Sequence, residues 1–151
     1  MTIPRQGFTL IELLTALALI SFLVVMSHHG FGPILQKQYT QNATSELIAN
    51  LAFARSEAIK RNRQVNLCPK DSEKKCGNDW SKGYQVFDEN TILRQVTLHK
   101  NLKIHSTNPN IITFNAYGQC LTRTTLNISS QRFSQRIVIY DSGRVRNESL
   151  S

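Results

Sequence analysis

Two arginines near the C-terminus, Arg144 and Arg146, are the side chains in this sequence best placed to bind a phosphate. Alternate residues of an extended chain point to one face, which would hold the two guanidiniums about 7 Å apart, close to one phosphate step of a nucleic acid strand. A guanidinium donates two parallel hydrogen bonds to a phosphate and does not deprotonate. The pair therefore indicates phosphate binding. The alternative is an arginine pair on a solvated edge strand, where the charges discourage edge-to-edge pairing.

The charge of the chain favours a polyanionic partner. Its 151 residues include 18 Lys and Arg against 10 Asp and Glu, and between His99 and Asn147 the only acid is Asp141. The basic residues of that stretch are Lys100, Lys103, Arg123, Arg132, Arg136, Arg144 and Arg146. A field of one sign attracts a polyanion or an acidic surface, whereas a surface that only keeps the protein soluble is the alternative.

Nucleic acid binding by these residues is expected to be independent of base sequence. The chain has no recognition-helix pattern, no zinc finger and no paired aromatic residues on a strand, so contacts would go to the phosphate backbone and would weaken with salt. Trp80 could stack on a base, but a lone tryptophan before a strand more often packs in the core. Arg144 and Arg146 are the centre of the predicted DNA-binding surface. Its further predicted members are Lys100, Lys103, Arg132 and Arg136.

No catalytic, metal or cofactor site is predicted. The sequence contains no Gly-x-Ser-x-Gly motif, no glycine loop suited to phosphates and no histidine pair at metal-ligand spacing, and its acids are scattered. We therefore expect a protein that is not an enzyme and that has no cofactor.

Cys68 and Cys76 flank a short polar loop and are expected to form a disulfide in an oxidising compartment. A zinc site that adds His99 and His105 is the alternative, although the gap between the cysteines does not match the usual zinc spacing. Cys120 has no assigned partner. We interpret it as a half-buried thiol and not as a nucleophile, because no base stands near it in the sequence.

An apolar run from Phe8 to Met26 carries one charge, Glu12. At about 1.5 Å per residue, a helix of this length would cross most of the hydrocarbon of a bilayer. A buried core helix and a secretory signal peptide are the alternatives. The position of Glu12 inside the apolar run and the lack of a small-x-small cleavage site after it count against a signal peptide. A carboxylate in lipid needs a partner, so Glu12 is predicted to be functional.

Two further features of the sequence predict how the helix continues beyond the apolar run. Residues 30–33, Gly-Phe-Gly-Pro, predict a kink or a short melted turn without a domain boundary. From about Ile34 to Arg63 the chain is amphipathic, and its predicted buried face is formed by Leu47, Leu51, Ala54 and Ala58.

After Arg63 the pattern alternates, which predicts short strands. The predicted strands are Gln64–Cys68, Tyr84–Asp88, Ile92–Leu98, Leu102–His105, Ile111–Ala116, Thr124–Ser129, Arg136–Tyr140 and Arg144–Asn147. Runs of this length, with no helix between them, predict an α+β fold in which antiparallel sheets pack on one long helix.

The N-terminal sequence resembles the class III signal of type IV pilins and type II secretion pseudopilins. A short leader ends at Gly7, and Phe8 and Glu12 stand at the family positions in front of an apolar helix. The resemblance implies the type IV pilin fold, cleavage after Gly7 by the prepilin peptidase and methylation of the new N-terminus at Phe8. It also implies assembly into a filament with other major and minor pilins, with Glu12 facing the N-terminal amine of a neighbouring subunit.

Further motifs resemble the minor pilins of the GspH/FimT group: the cysteine loop, then Asp79-Trp80 with Gly83, and the closing Asp141-Ser142-Gly143-Arg144-Val145-Arg146. In the FimT members that serve natural transformation, or competence, a terminal Gly-Arg-x-Arg motif contributes to DNA binding. Gly143, Arg144 and Arg146 match that motif, so the resemblance implies a minor pilin that binds extracellular double-stranded DNA. A structural pseudopilin of a type II secretion system, or a subunit that initiates pilus assembly, is the alternative. Cys120 has no counterpart in the family pattern.

These readings give four expected segments. Residues 1–7 are the leader, 8–30 the transmembrane half of the long helix, 31–63 its amphipathic half and 64–151 a periplasmic β-rich part. The resemblance and the basic Arg5 imply a single pass through the inner membrane, in contact with its lipid, with the C-terminal part in the periplasm and later in a pilus at the cell surface.

Overall fold

The computed structural model describes residues 8–71, 76–89, 91–107 and 111–150, with the side chains of all of these except 26–31, 149 and 150. These residues form one α-helix, a short 3-10 helix at Trp80–Lys82 and eight strands. The elements are α1 (Leu10–Arg61), β1 (Val65–Pro69), β2 (Tyr84–Asp88), β3 (Thr91–Val96), β4 (Lys103–Ser106), β5 (Ile112–Phe114), β6 (Thr124–Ser129), β7 (Ser134–Ile139) and β8 (Val145–Leu150). The predicted α+β fold with a long N-terminal helix is confirmed.

The chain divides into two compact units, Met1–Leu35 and Gln36–Ser151. In the first unit, α1 begins after Thr9, whose hydroxyl oxygen accepts a hydrogen bond from the backbone N–H of Glu12 at 3.4 Å, as an N-cap does. The large apolar side chains between Phe8 and Val25 are all at least half exposed. Across the described ranges, no helix is both long enough and apolar enough to span a membrane.

Of the two forms predicted for residues 30–33, a kink or a short melted turn, the melted turn is wrong, because α1 remains helical through this segment with Pro33 inside it. Pro33 removes one backbone N–H donor from α1, while the neighbouring residues keep theirs and can continue the helical hydrogen bonds. Gly32 lies in open space, with no heavy atom within 4 Å of where a Cβ would be.

The second unit has one core between α1 and two antiparallel sheets. The predicted helix face is confirmed, since Leu47, Leu51, Ala54 and Ala58 are all fully buried. The core residues that face them from the strands are Val65, Leu67, Ile112, Phe114, Leu126, Ile128, Ile137 and Ile139, and each is also fully buried. Removing this much apolar surface from water is the main favourable contribution to folding of the unit.

The first sheet has the strand order β3-β2-β1-β5 and the second the order β4-β6-β7-β8. All pairs within both sheets are antiparallel. In β6 the residues alternate strictly between buried and half-buried, so the second sheet has one face on the core and one face towards solvent. That solvent face, called here the outer face, carries Arg136, Arg144 and Arg146.

Ion pairs fasten the end of α1 to the end of β2. The buried carboxylate of Asp88 lies 3.1 Å from Arg61 and 2.9 Å from Arg63, and Arg61 also donates to Glu57 at 2.6 Å. The hydrogen bond from Arg61 is the main reason that the pKa of Glu57 lies below its usual range. This cluster fixes where the helix ends relative to the first sheet.

The expected disulfide joins Cys68 and Cys76, so the alternative zinc site is not formed. Within the described residues, no group of His, Cys, Asp and Glu could hold a metal ion. Cys120 is a free thiol that is 3% exposed, more buried than predicted, and donates to the carbonyl of Thr122 at 3.2 Å. Burial raises the pKa of this thiol, which opposes formation of a thiolate nucleophile.

Candidate nucleic-acid interface

The Gly-Arg-x-Arg motif lies at the hairpin between β7 and β8. The backbone N–H of Gly143 donates to the carbonyl of Tyr140 at 2.8 Å, and the N–H of Tyr140 donates to the carbonyl of Arg144 at 3.0 Å. Gly143 has a φ of 75°, the left-handed conformation that closes a three-residue hairpin loop. The chain therefore enters β8 at Arg144 with its direction set by the glycine.

Gly143 is buried and does not belong to the exposed surface. A Cβ at this position would clash with the carbonyl oxygen of Gly118 and would lie 3.0 Å from Nε of Arg55. Arg55, on α1, also donates to the carbonyl of Gly143 at 3.4 Å. A bond from the N–H of Cys120 to the carbonyl of Asp141, at 3.0 Å, holds the same turn from the neighbouring loop. The glycine thus positions the arginines and does not itself offer a surface for contact.

Pairing between β7 and β8 places the two arginines on the outer face. Arg146 lies directly opposite Val138, and Arg136 lies two residues earlier on the same face of β7. Arg144 and Arg146 are exposed and Arg136 is half-buried. The structure therefore brings three of the predicted basic residues together.

Two depressions in the outer face adjoin these arginines. The first, of about 200 Å³, is lined by Tyr140, Ser142, Arg144 and Arg146. The second, of about 360 Å³, is lined by Thr107, Arg123, Thr125, Asn127, Arg136, Val138, Tyr140 and Glu148. Tyr140 lines both. A phosphate in either depression would meet guanidinium groups and hydroxyl donors, which suits an anion.

The remaining predicted cations lie at the opposite end of the second sheet. Lys103 begins β4 and pairs with Ser129, the last residue of β6, while Arg132 lies in the loop that leads to β7. Lys100 lies in the turn before β4. All three are exposed, but the strand pairing separates them from the hairpin that carries the motif.

One acid lies among the arginines. Glu148 pairs with Arg136 across the strands, and its carboxylate is 3.8 Å from Nε of Arg146. Both side chains of the Arg146–Glu148 pair are more than a third exposed, so solvent and salt screen their attraction. Glu148 therefore competes with an incoming anion for Arg146, but the ion pair is weak enough to leave Arg146 able to bind one.

The sequence analysis counted Arg123 in the basic stretch but did not assign it to the DNA-binding surface, and it did not single out Tyr140. The guanidinium of Arg123 lies over the Tyr140 ring, 5.3 Å from its centroid. The alternation that predicts β6 places residue 123 on the same face as Thr125 and Asn127, so the face of Arg123 could be predicted from the sequence. That Arg123 lies beside Tyr140 could not, because it depends on the pairing of β6 with β7.

At the other end of the chain, Gly7 lies outside the described residues. Phe8 is 83% exposed, and Glu12 is exposed one turn into α1. In the part of the chain that the structure describes, no cation is paired with Glu12. Phe8 and Glu12 are therefore accessible to another molecule in this structure.

The family model of type II transport protein GspH matches residues 43–143, and the model of the prokaryotic N-terminal methylation motif matches residues 4–27. No curated protein sequence matches the chain.

Solved structures of pilins share the fold. The type IV minor pilin FimU of Pseudomonas aeruginosa, in one crystal form, is 26% identical with a TM-score of 0.58, covering 72% of this chain and 91% of FimU. A second crystal form of FimU is 25% identical with a TM-score of 0.57, covering 77% and 92%. The minor pseudopilin EpsH from the type 2 secretion system of Vibrio cholerae is 16% identical with a TM-score of 0.52, covering 73% and 96%, a likeness of fold alone.

The GspH model covers about two thirds of the chain, including most of the second unit, and the methylation motif covers the start of α1. The long helix and the antiparallel sheets agree with the fold of these solved structures. The predicted resemblance to the GspH/FimT group and the type IV pilin fold are confirmed, and the chain belongs to the GspH family of type IV minor pilins and pseudopilins.

Proposed function

We propose that this protein is a minor type IV pilin that binds extracellular double-stranded DNA, independently of sequence, for natural transformation. The observation that carries the proposal is the outer face of β7 and β8, where Arg136, Arg144 and Arg146 line two adjacent depressions. Contacts from such a surface go to phosphates, which all sequences share. Lys100, Lys103 and Arg132, at the far end of the sheet, add to the positive field that attracts DNA.

The N-terminal part of the proposal concerns assembly. The prepilin peptidase cleaves after Gly7, and the new N-terminus at Phe8 is methylated. Before assembly the protein is anchored in the inner membrane in contact with lipid, with its C-terminal part in the periplasm. Glu12 then pairs with the N-terminal amine of a neighbouring pilin in the filament. The methylation-motif match supports this sequence of events, and so do the exposed apolar side chains between Phe8 and Val25, which need lipid or other subunits to cover them.

Binding of the fragment 36–151 to a fluorescent DNA duplex, across a salt series, tests the proposal. This fragment contains every residue of the core cluster. Three phosphate contacts predict a slope of log affinity against log salt of about −2.7, which is roughly a 40-fold loss between about 50 and 200 mM salt. Duplexes of unrelated sequence should bind alike. Absence of binding at the lowest salt would contradict the proposal.

A structural minor pseudopilin, or a subunit that initiates pilus assembly, is the second candidate. The match to the family model of type II transport protein GspH favours it. This function needs contacts with other pilins and predicts no affinity for DNA that depends on salt. The same titration therefore separates the two candidates.

A further inference from the structure

Tyr140 connects the two depressions of the outer face. It lines the one beside Arg144 and Arg146 and also the one beside Arg123 and Arg136. Tyr140 is therefore a wall common to both depressions, and the two together, which border β8, β7 and β6, are called here the basic groove. The groove contains four arginines against one acid, Glu148.

The two sides of this groove are far enough apart to contact two phosphates. Arg123 directly precedes β6, and the register of β6, β7 and β8 places it in line with Tyr140 and Arg144. Arg123 and Arg144 are therefore two strand spacings apart, about 10 Å. This span lies between the widths of the minor and major grooves of DNA, about 6 and 12 Å, and equals neither. Guanidiniums on the two sides would thus contact two separate phosphates.

Arg123 is well prepared for such a contact. Its side chain is exposed, and among the described residues it makes no ion pair, whereas Arg146 is partly neutralised by Glu148. Its guanidinium lies over the Tyr140 ring at 5.3 Å. A cation held over a ring face keeps its N–H groups at the edge, where they remain free to donate.

We propose that Arg123 is a further phosphate-binding residue and that Tyr140 is its positioning residue, so that DNA lies across β6, β7 and β8. This inference rests on the proposed function and extends the contact surface away from the terminal motif. It places Lys103 and Arg132, at the other end of the sheet, outside the contact.

The test measures DNA binding by the full-length chain, kept in solution by a non-ionic detergent because of its exposed apolar helix. Arg123→Gln should lower the magnitude of the salt slope by about 0.9 and weaken binding roughly three- to tenfold at low salt. The matched control is Lys82→Gln, which removes an exposed cation from the 3-10 helix. Lys103→Gln and Arg132→Gln should behave like this control. An Arg123→Gln variant with the slope of the control would overturn the proposal.

A double-mutant cycle tests the role of Tyr140. Tyr140→Leu should weaken binding roughly two- to threefold with no change of slope, since no charge is lost, and Tyr140→Phe should bind like the wild type because the ring remains. In the Arg123→Gln background, Tyr140→Leu should have no further effect. Equal losses in both backgrounds would show that Tyr140 does not act through Arg123, which contradicts its assignment. Melting temperatures of all variants identify any loss that comes from unfolding.

The outcomes separate this inference from the function on which it rests. If the wild type does not bind DNA, the proposed function fails. If the wild type binds and Arg144→Gln weakens it, but Arg123→Gln matches the Lys82→Gln control, the function stands and the extended groove is wrong.

Discussion

Gly143 determines where Arg144 and Arg146 point, although it is buried. Its left-handed backbone and its contact with Gly118 and Arg55 exclude any side chain. The sequence predicts that the arginines share a face, because period-two alternation is local. It does not predict the contact of Gly143 with Gly118 and Arg55, which joins residues far apart in the chain. The glycine of the motif is thus explained by packing.

We expect Gly143→Ala to destabilise the second unit by roughly 2 kcal/mol or more, because alanine is strained at this φ and its Cβ meets the Gly118 carbonyl. Urea unfolding of the fragment 36–151 measures this. Ser142→Ala, one residue earlier in the same exposed turn, is the control and should stay within about 0.5 kcal/mol of the wild type. Equal stability of the two variants would mean that the turn adapts and that the glycine is not required.

Removal of Glu148 is expected to strengthen DNA binding, whereas removal of an arginine of the groove is expected to weaken it. Loss of Glu148 frees Arg146 from a 3.8 Å ion pair and takes a negative charge from the groove. Glu148→Gln should therefore strengthen DNA binding by roughly three- to tenfold at low salt, with little change in stability. Glu46→Gln removes an exposed acid from α1 and serves as the control. Weaker binding by Glu148→Gln than by this control would show that Arg146 needs the carboxylate for its orientation.

Strand positions were predicted well, and strand order was not. Each predicted strand overlaps an observed one, and Tyr84–Asp88 and Thr124–Ser129 agree at both ends. Alternation and turn residues carry that information locally. That β5 pairs with β1, and β4 with β6, depends on which chain segments meet across the core. This order decides that Arg123 lies near the arginine motif and Lys103 does not.

The end of α1 provides a prediction on pH. Arg61 holds the pKa of Glu57 below its usual value, so the ionised Glu57 stabilises the folded state above its unfolded pKa of about 4.3. That contribution is lost as the pH falls through the lower, folded pKa. The stability difference between the wild type and Glu57→Gln should therefore shrink as the pH falls from about 6 to about 3. Thermal unfolding of the wild-type and Glu57→Gln fragments 36–151 across this pH range measures the stability difference. A difference that stays constant or grows as the pH falls would contradict the ion-pair account.

For the molecule as a whole, the two compact units correspond to the two parts of the proposed function, assembly and DNA binding. The first unit exposes an apolar helix with Glu12, and the second buries its core and presents the basic groove. The N-terminal motif was readable from the sequence because its residues are adjacent in the chain. The groove could be predicted only in part from the sequence, because its arginines are brought to one face only when β6, β7 and β8 pair.

The assembly proposal predicts the mass of the mature chain. Mass spectrometry of the protein from cells should find a chain that begins at N-methylated Phe8. Glu12→Gln should be processed in the same way but should enter filaments poorly, because it cannot form a salt bridge with a neighbour's N-terminal amine. Filaments that contain the chain with Met1 at its N-terminus would contradict this proposal.

The salt dependence of DNA binding by Arg144→Gln/Arg146→Gln tests the central claim most directly. Removal of two phosphate contacts should lower the magnitude of the slope by about 1.8 and weaken binding by about tenfold or more at moderate salt, with the melting temperature unchanged. The control, Lys37→Gln/Lys82→Gln, removes the same charge from exposed positions away from the outer face and should keep most of the slope. Equal slopes for the two double variants would contradict DNA binding at the β7–β8 hairpin.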